Sequence, residues 1–175
     1  MCQVDLAKIT EVVNSKGRAL DPRSKFGSTP LMCAATKGYV NIVTKLLKGG
    51  SNPNLQDDRG TTALALASLN GHEEIISVMI KNGADPNLAD NYGITPLIYA
   101  AGYGRGEINA TMALIKGGAD INRMDKDGKS ALFLAKRRNR SEIVKLLQAA
   151  GAKSLHGIDE KEDKNEALLD DENRH

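Results

Sequence analysis

Apolar residues recur along this chain in short stripes with the spacing of amphipathic helices. Ile42-Val43 and Leu46-Leu47 form one stripe, and Ile75-Ile76 with Met79-Ile80 form another, 33 residues further along. A shorter stripe precedes each of them, as at Leu64–Ala67. Because neither helix of such a pair is long enough to persist alone in water, the pattern predicts an all-α protein whose short paired helices shield one another's apolar faces.

Two series of glycines share the period of these stripes. The first series has separations of 33, 33 and 35 residues and consists of Gly27, Gly60, Gly93 and Gly128. The second series follows the second helix of each pair and consists of Gly50, Gly83, Gly118 and Gly151. Since two independent landmarks hold one period along most of the chain, we predict a repeat array.

Each landmark has a local physical role. Two residues after each glycine of the first series stands a hydroxyl that can cap the next helix, namely Thr29, Thr62, Thr95 and Ser130. Pro30 and Pro96 then occupy a first helical position, where the missing N–H is not needed. Gly38, Gly71 and Asn139 are expected to be left-handed residues between the two helices of a repeat. The second glycine series is expected at C′ positions.

These strings allow a family to be named. Gly93-Ile94-Thr95-Pro96-Leu97, Gly71-His72-Glu73-Glu74-Ile75-Ile76 and Asn82-Gly83-Ala84-Asp85-Pro86-Asn87 resemble the ankyrin repeat, over about residues 24–152 as four repeats. The resemblance implies an all-α solenoid of stacked helix–turn–helix units joined by β-hairpin-like loops. The family's histidine after Thr-Pro-Leu is replaced here by Met32, Ala65, Ile98 and Phe133. A hydrogen bond that the family makes there is therefore expected to be lost.

The chain outside residues 24–152 is of two kinds. Residues 1–23 show helical spacing at Leu6, Ile9 and Val12 and are interpreted as an N-terminal capping helix, a degenerate repeat, with a targeting segment as the alternative. Residues 153–175 are predicted to be an acidic flexible tail, since residues 159–172 hold eight acids and two lysines and too few apolar side chains to fold alone. Whether this tail regulates binding, by folding back over the last repeat, is left open.

The resemblance implies a protein–protein interaction module. Family members bind partner proteins through a concave face made of hairpin tips and first helices. Carried onto this sequence, the candidate partner-binding residues are Lys25, Phe26, Arg59, Leu69, Asn70, Asn91, Tyr92, Ile94, Tyr103, Met124, Lys126, Lys129, Arg137 and Arg138. Tyr92, Tyr103 and Arg59 are the expected anchors, because rings and arginines dominate interface energies. The alternatives are an inhibitor or regulatory subunit that masks an enzyme surface, and a secreted effector that binds a host protein.

The third repeat is two residues longer than its neighbours between Ala101 and Leu114. Its alternating glycines, at 102, 104 and 106, resemble a phosphate-binding loop, but no predicted strand precedes them and no Lys-Ser/Thr follows. Two accounts of the extra residues stay open. One is a longer loop between the helices, and the other is a second helix that begins early, at Glu107.

The fourth repeat carries a basic stretch. Between residues 126 and 140 a single acid, Asp127, is accompanied by Lys126, Lys129, Lys136, Arg137, Arg138 and Arg140. The stretch is either a docking patch for an acidic partner or the polar end that a solenoid requires. Nucleic acid is not the expected partner, because interleaved aromatic side chains are missing. The net charge of +2 for the whole chain is too small to indicate nucleic acid or membrane.

The remaining residues do not indicate catalysis. Cys2 and Cys33 lack metal-ligand spacing, and no catalytic motif surrounds His72, His156 or His175. We therefore expect a protein that is not an enzyme, with no catalytic residue, no cofactor and no metal site. With so few cysteines and no apolar stretch long enough to span a bilayer, we expect a cytoplasmic protein without membrane association, monomeric when free.

Overall fold

The computed structural model describes residues 21–153, which form four helical repeats in chain order. Repeat one contains α1 (Pro30–Lys37) and α2 (Val40–Lys48), and repeat two contains α3 (Ala63–Asn70) and α4 (Glu73–Lys81). Repeat three begins with α5 (Pro96–Ile98), continues as a π-helical segment (Tyr99–Tyr103) and ends with α6 (Ile108–Lys116). Repeat four contains α7 (Ala131–Arg137) and α8 (Ser141–Ala149). Most of the predicted capping helix of residues 1–23 lies outside the described residues, and so does the tail beyond Lys153.

The first helices begin where the sequence places their caps. The hydroxyl of Thr29 accepts a hydrogen bond from Met32 N, and the corresponding bonds in the later repeats are made by Thr62, Thr95 and Ser130. In repeat one the cap is reciprocal, because Thr29 N donates to Met32 Sδ at 3.4 Å. The family's histidine is absent here, and in repeat one a thioether sulfur, a weak acceptor, receives the N–H of the capping residue instead.

The helices stack in two layers along one core. The first helices pack on one another in the order α1, α3, α5 with the π-helical segment, and α7, while α2, α4, α6 and α8 form the second layer. Leu31, Leu64, Leu97 and Leu132 recur at equivalent positions of the core and are buried. Within residues 21–153 the strand pairing consists of isolated bridges, Gln56 with Thr62 and Met124 with Ser130. The all-α solenoid joined by hairpin-like loops is therefore confirmed.

Successive hairpins are joined through their backbones. Asp58 N donates to Phe26 O at 3.3 Å, Asn91 N to Arg59 O at 2.9 Å, and Lys126 N to Tyr92 O at 2.9 Å. Each hairpin also carries a side chain that accepts from its own backbone amides, and these side chains are Ser24, Asp57, Asp90 and Asp125. The hairpin tips are consequently held in a row with defined spacing.

An asparagine ladder connects the repeats at the base of the hairpins. The amide nitrogens of Asn54, Asn87 and Asn122 each donate to a glycine carbonyl of the next repeat, and their Oδ1 atoms each accept a backbone N–H there. Asp21 stands at the equivalent position before repeat one and accepts from Asn52 N at 3.0 Å. The contacts in which the ladder side chain accepts a backbone N–H thus extend to both ends of the described chain.

The third repeat accommodates its two extra residues in the loop between its helices. All four second helices contain nine residues, and α6 begins at Ile108. The longer loop, residues 104–107, is therefore the correct account, and an early start of the helix at Glu107 is wrong. The π-helical segment before this loop was not predicted from the sequence. Its Gly102 packs so closely on Leu134 that an added Cβ would lie 2.6 Å from Leu134 Cδ1.

Candidate partner-binding groove

A groove of about 410 Å³ opens between the hairpins and first helices around repeat two. Three successive repeats contribute to it. Its apolar and aromatic lining includes Phe26, Leu66, Leu69, Tyr92 and Tyr99, and its charged lining consists of Asp57, Asp58, Arg59 and Asp90. Four residues that were predicted to bind a partner line this groove, namely Phe26, Arg59, Leu69 and Tyr92.

Two exposed rings belong to this groove. Phe26 is 63% exposed and Tyr92 is 64% exposed. Each ring directly precedes the glycine of its hairpin tip, Gly27 or Gly93, which takes a left-handed conformation with φ near +75° to +80°. Because the tip backbone is fixed by neighbouring hairpins, both rings are displayed to solvent at a set separation rather than packed into the core.

Asp90 fixes one wall of the groove. Its Oδ1 accepts from Tyr92 N and Ile94 N, both at 2.9 Å, and its Oδ2 accepts from the Tyr99 hydroxyl at 2.6 Å. Burial of Tyr99, together with the hydrogen bond to Asp90, raises the pKa of its hydroxyl well above the usual range for tyrosine. Tyr99 is therefore a neutral donor that holds Asp90 and, through it, the hairpin of Tyr92.

Asp58 is the groove carboxylate that faces solvent. Its side chain lies against the tip of the preceding hairpin, where a Cβ on Gly27 would be 2.6 Å from Asp58 Oδ1. Among residues 21–153 this carboxylate has no hydrogen bond or ion pair of its own, in contrast to those of Asp57 and Asp90. It is thus available to a donor on a bound molecule.

The other predicted binding residues have varied surroundings. Met124, Lys25, Asn91, Lys126, Arg137 and Arg138 are exposed. Lys129 donates to Asp127 at 3.2 Å, and this hydrogen bond raises the pKa of its ammonium group. The side-chain amides of Asn70 and Asn91 donate to backbone carbonyls, of Leu66 and Asp58 respectively.

Three apolar candidates are less accessible than Phe26 and Tyr92. Leu69, Ile94 and Tyr103 are half-buried, and Ile94 and Tyr103 pack against the core. Tyr103 meets Tyr99 edge to face, with ring centroids 6.2 Å apart, and the Arg138 guanidinium lies 5.7 Å from its centroid. These three side chains are therefore only partly accessible to a partner.

Arg140 is not a surface cation of the basic stretch. Its guanidinium donates to the carbonyl oxygens of Ala100, Ala101 and Gly104, all in or next to the π-helical segment. Burial and the nearby Arg138 lower the pKa of Arg140, which still carries its charge at neutral pH. The structure therefore assigns Arg140 to packing between repeats three and four, and the docking patch predicted from the sequence loses this member.

Sequence reasoning missed the Asp90–Tyr99 pair and the role of Asp58. A signal for the first was present, since Asp57, Asp90 and Asp125 recur with the period of the repeat. Such a regular acid before a glycine-containing turn is typical of a side chain that caps its own loop. Nothing local marks Asp58, whose position in the groove depends on the hairpin of the preceding repeat.

Other kinds of site find no support within residues 21–153. This part of the chain contains no group of three or more His, Cys, Asp or Glu side chains that could hold a metal ion. None of its helices combines the length and apolar character needed to cross a bilayer. His72 has a structural contact, with Nε2 3.2 Å from Thr36 O, and Cys33 is buried in α1.

Comparison with known proteins agrees with this architecture. The family model for ankyrin repeats matches three overlapping stretches, residues 4–90, 40–125 and 79–156. A comparison with curated proteins finds no match. The three stretches together cover most of the chain, and they agree with the stacked helical pairs and hairpins described above. The chain belongs to the ankyrin-repeat family, whose repeats are typically non-catalytic modules for protein–protein interaction.

Proposed function

We propose that this protein binds a partner protein through the groove around repeat two and has no catalytic role of its own. The observation that carries the proposal is the pair of exposed rings, Phe26 and Tyr92, on either side of the Arg59 hairpin. Rigid rings and arginine are the side chains most enriched among residues that dominate binding energy. Covering the exposed part of each ring would contribute on the order of 2 kcal/mol.

The hairpins that carry these rings support tight binding for a second reason. Asp57 and Asp90 each accept two amides of their own hairpin, and adjacent hairpins are joined by backbone hydrogen bonds. A surface that is already ordered loses little conformational entropy when a partner binds. The chemistry of the lining favours a partner segment with apolar side chains for Phe26, Leu69 and Tyr92 and a donor for Asp58.

The test is affinity capture with quantitative mass spectrometry, comparing the full chain with the double variant Phe26→Ala/Tyr92→Ala. Partners of the groove should fall at least about tenfold in the double variant, which corresponds to a loss of about 1.4 kcal/mol or more. The matched control is Tyr39→Ala, since Tyr39 is also an exposed ring, 38% exposed, but does not line the groove. Thermal melts of all variants should agree with that of the wild type.

A partner set that is unchanged in the double variant and reduced in Tyr39→Ala would place binding on the other layer of helices and refute the proposal. Assaying a captured enzyme with and without this protein then separates a scaffold from an inhibitor. A cytoplasmic location and a monomeric free state stay predictions from the sequence.

A further inference from the structure

Positive charge on the hairpin-and-first-helix side is concentrated on repeat four. We call Lys126, Lys129, Arg137 and Arg138 the cationic end. Lys126 is exposed at a hairpin tip, and Arg137 and Arg138 are exposed where α7 ends. The residues equivalent to Lys126 in the earlier repeats are Lys25, Asp58 and Asn91, and those equivalent to Arg138 are Lys37, Asn70 and Tyr103. Repeats two and three thus have no cation at either position.

The cationic end is separate from the groove of the proposed function. None of its residues lines that groove. One acid, Asp127, lies within it and pairs with Lys129 at 3.2 Å. The Arg138 guanidinium lies over the Tyr103 ring, which restricts the direction in which this cation points. A surplus of positive charge is therefore presented on a surface whose side chains are partly fixed.

A segment of opposite charge follows in the same chain. Residues 159–172 contain eight acids and two lysines, a net charge of −6. The chain leaves repeat four at Lys153, whose backbone N–H donates to Asn122 Oδ1 at 2.8 Å. Asn122 and Lys126 are four residues apart on one hairpin, so the cationic end begins at most about 14 Å from this anchor.

The chain that connects the anchor to the acids is long enough to reach. Asp159 is six positions after Lys153, and six Cα–Cα steps span up to about 20 Å. The length of the connection therefore allows the first carboxylates to reach Lys126. Covalent attachment through a short connection gives effective concentrations in the millimolar range, which favours the attached segment over an acidic segment from another molecule.

We propose that residues 159–172 bind intramolecularly to the cationic end and compete there with acidic segments of other proteins. The attraction acts between solvated charges, so it is screened over about 8 Å at physiological salt and is stronger at low salt. The proposal does not rest on the groove of Phe26 and Tyr92, and either can fail without the other.

The first test is zero-length carbodiimide cross-linking of the full chain, followed by peptide mapping. At low salt, amide bonds should join carboxylates of residues 159–172 to Lys126 or Lys129 within the monomer, and at about 1 M salt their yield should fall at least fivefold. The variant Arg137→Gln/Arg138→Gln should reduce the yield at Lys126 at low salt. Lys25→Gln/Lys37→Gln makes the same change of charge on repeat one and should leave the yield unchanged.

The second test measures competition in the full-length protein. The probe is a fluorescent peptide with the sequence of residues 159–172. A full-length variant with the eight acids of this segment changed to their amides should bind the probe at least about tenfold more tightly than the wild type, because its own segment no longer occupies the surface. Circular dichroism melts establish that each variant is folded.

Equal probe affinity for the wild type and the amide variant would overturn the proposal. Cross-links spread evenly over distant lysines such as Lys45 and Lys81, or found in a dimer rather than the monomer, would do the same. The last of these outcomes would assign the acidic segment to a second copy of the chain.

Discussion

Tyr99 donates a 2.6 Å hydrogen bond from its hydroxyl to Asp90 Oδ2, which joins the π-helical segment of repeat three to the hairpin that carries Tyr92. The other oxygen of Asp90 accepts two amides of that hairpin. The exposed Tyr92 ring thus lies on a hairpin that the half-buried Tyr99 stabilises through Asp90. Tyr99 thus stabilises the hairpin, and Tyr92 is exposed on it.

We expect Tyr99 to lose its proton at unusually high pH, because burial and the hydrogen bond to Asp90 raise its pKa. Unfolded tyrosine loses its proton near pH 10. Above that pH the unfolded chain binds fewer protons than the folded chain, so the stabilisation by Tyr99 is complete below about pH 10 and is lost as the pH rises further. The measurement is tyrosinate absorbance during alkaline titration of the wild type and Tyr99→Phe. A difference curve centred at the ordinary tyrosine value would contradict this account.

Asp21→Asn is expected to stabilise the protein by about 1 kcal/mol. At the equivalent positions, asparagine amides donate to the carbonyl oxygens of Gly83, Gly118 and Gly151. Asp21 Oδ1 is buried and has no hydrogen-bond partner, and a carboxylate cannot donate to the corresponding carbonyl of Gly50. Urea unfolding monitored by circular dichroism gives the free energy of unfolding, with Asp21→Ala as the destabilised control. An Asn variant no more stable than the wild type would show that the ladder does not extend to Gly50.

Arg140→Ala is expected to lower the free energy of unfolding by about 2–3 kcal/mol, because charged hydrogen bonds to three backbone carbonyls are lost. Arg140→Lys should recover only part of this loss, since an ammonium group lacks the planar fork of guanidinium. Arg105→Ala is the matched control, an exposed arginine in the same loop region. Equal stability of the Arg140→Ala and Arg105→Ala variants would mean that water replaces the guanidinium without penalty.

Asn139 has the positive φ of 54° that glycines adopt at the equivalent positions, as at Gly38 with 79°. Asn139→Ala should therefore lose about 1 kcal/mol of stability, since a left-handed conformation is unfavourable for alanine. Asn139→Gly should change stability by less than about 0.5 kcal/mol, because glycine adopts this conformation readily but is more flexible when unfolded. Thermal melts of the two variants decide between this steric account and one based on the asparagine side chain, which predicts equal losses.

Much of the fold could be predicted from the sequence because its signals are local and periodic. The caps at Thr29 and Thr62 act within one helical turn, and the left-handed residues Gly71 and Asn139 act within one loop. Three of the predicted binding residues, Phe26, Arg59 and Tyr92, also lie around one groove, because each directly precedes the glycine of a hairpin and such positions have similar surroundings in every repeat. The partial burial of Leu69 and Ile94 was not predicted, since it depends on tertiary packing.

The sequence by itself determined the number of described repeats, the helix starts and the position of the rings, since each depends on residues a few places apart. The tertiary structure decided which charges stay on the surface. Arg140 lies only two residues from Arg138. The Arg140 guanidinium donates to carbonyl oxygens of repeat three, whereas the Arg138 guanidinium lies over the Tyr103 ring. Contacts of this kind join residues more than 30 positions apart. The stacking of the repeats determines which partner such a side chain meets, and its neighbours in the chain do not.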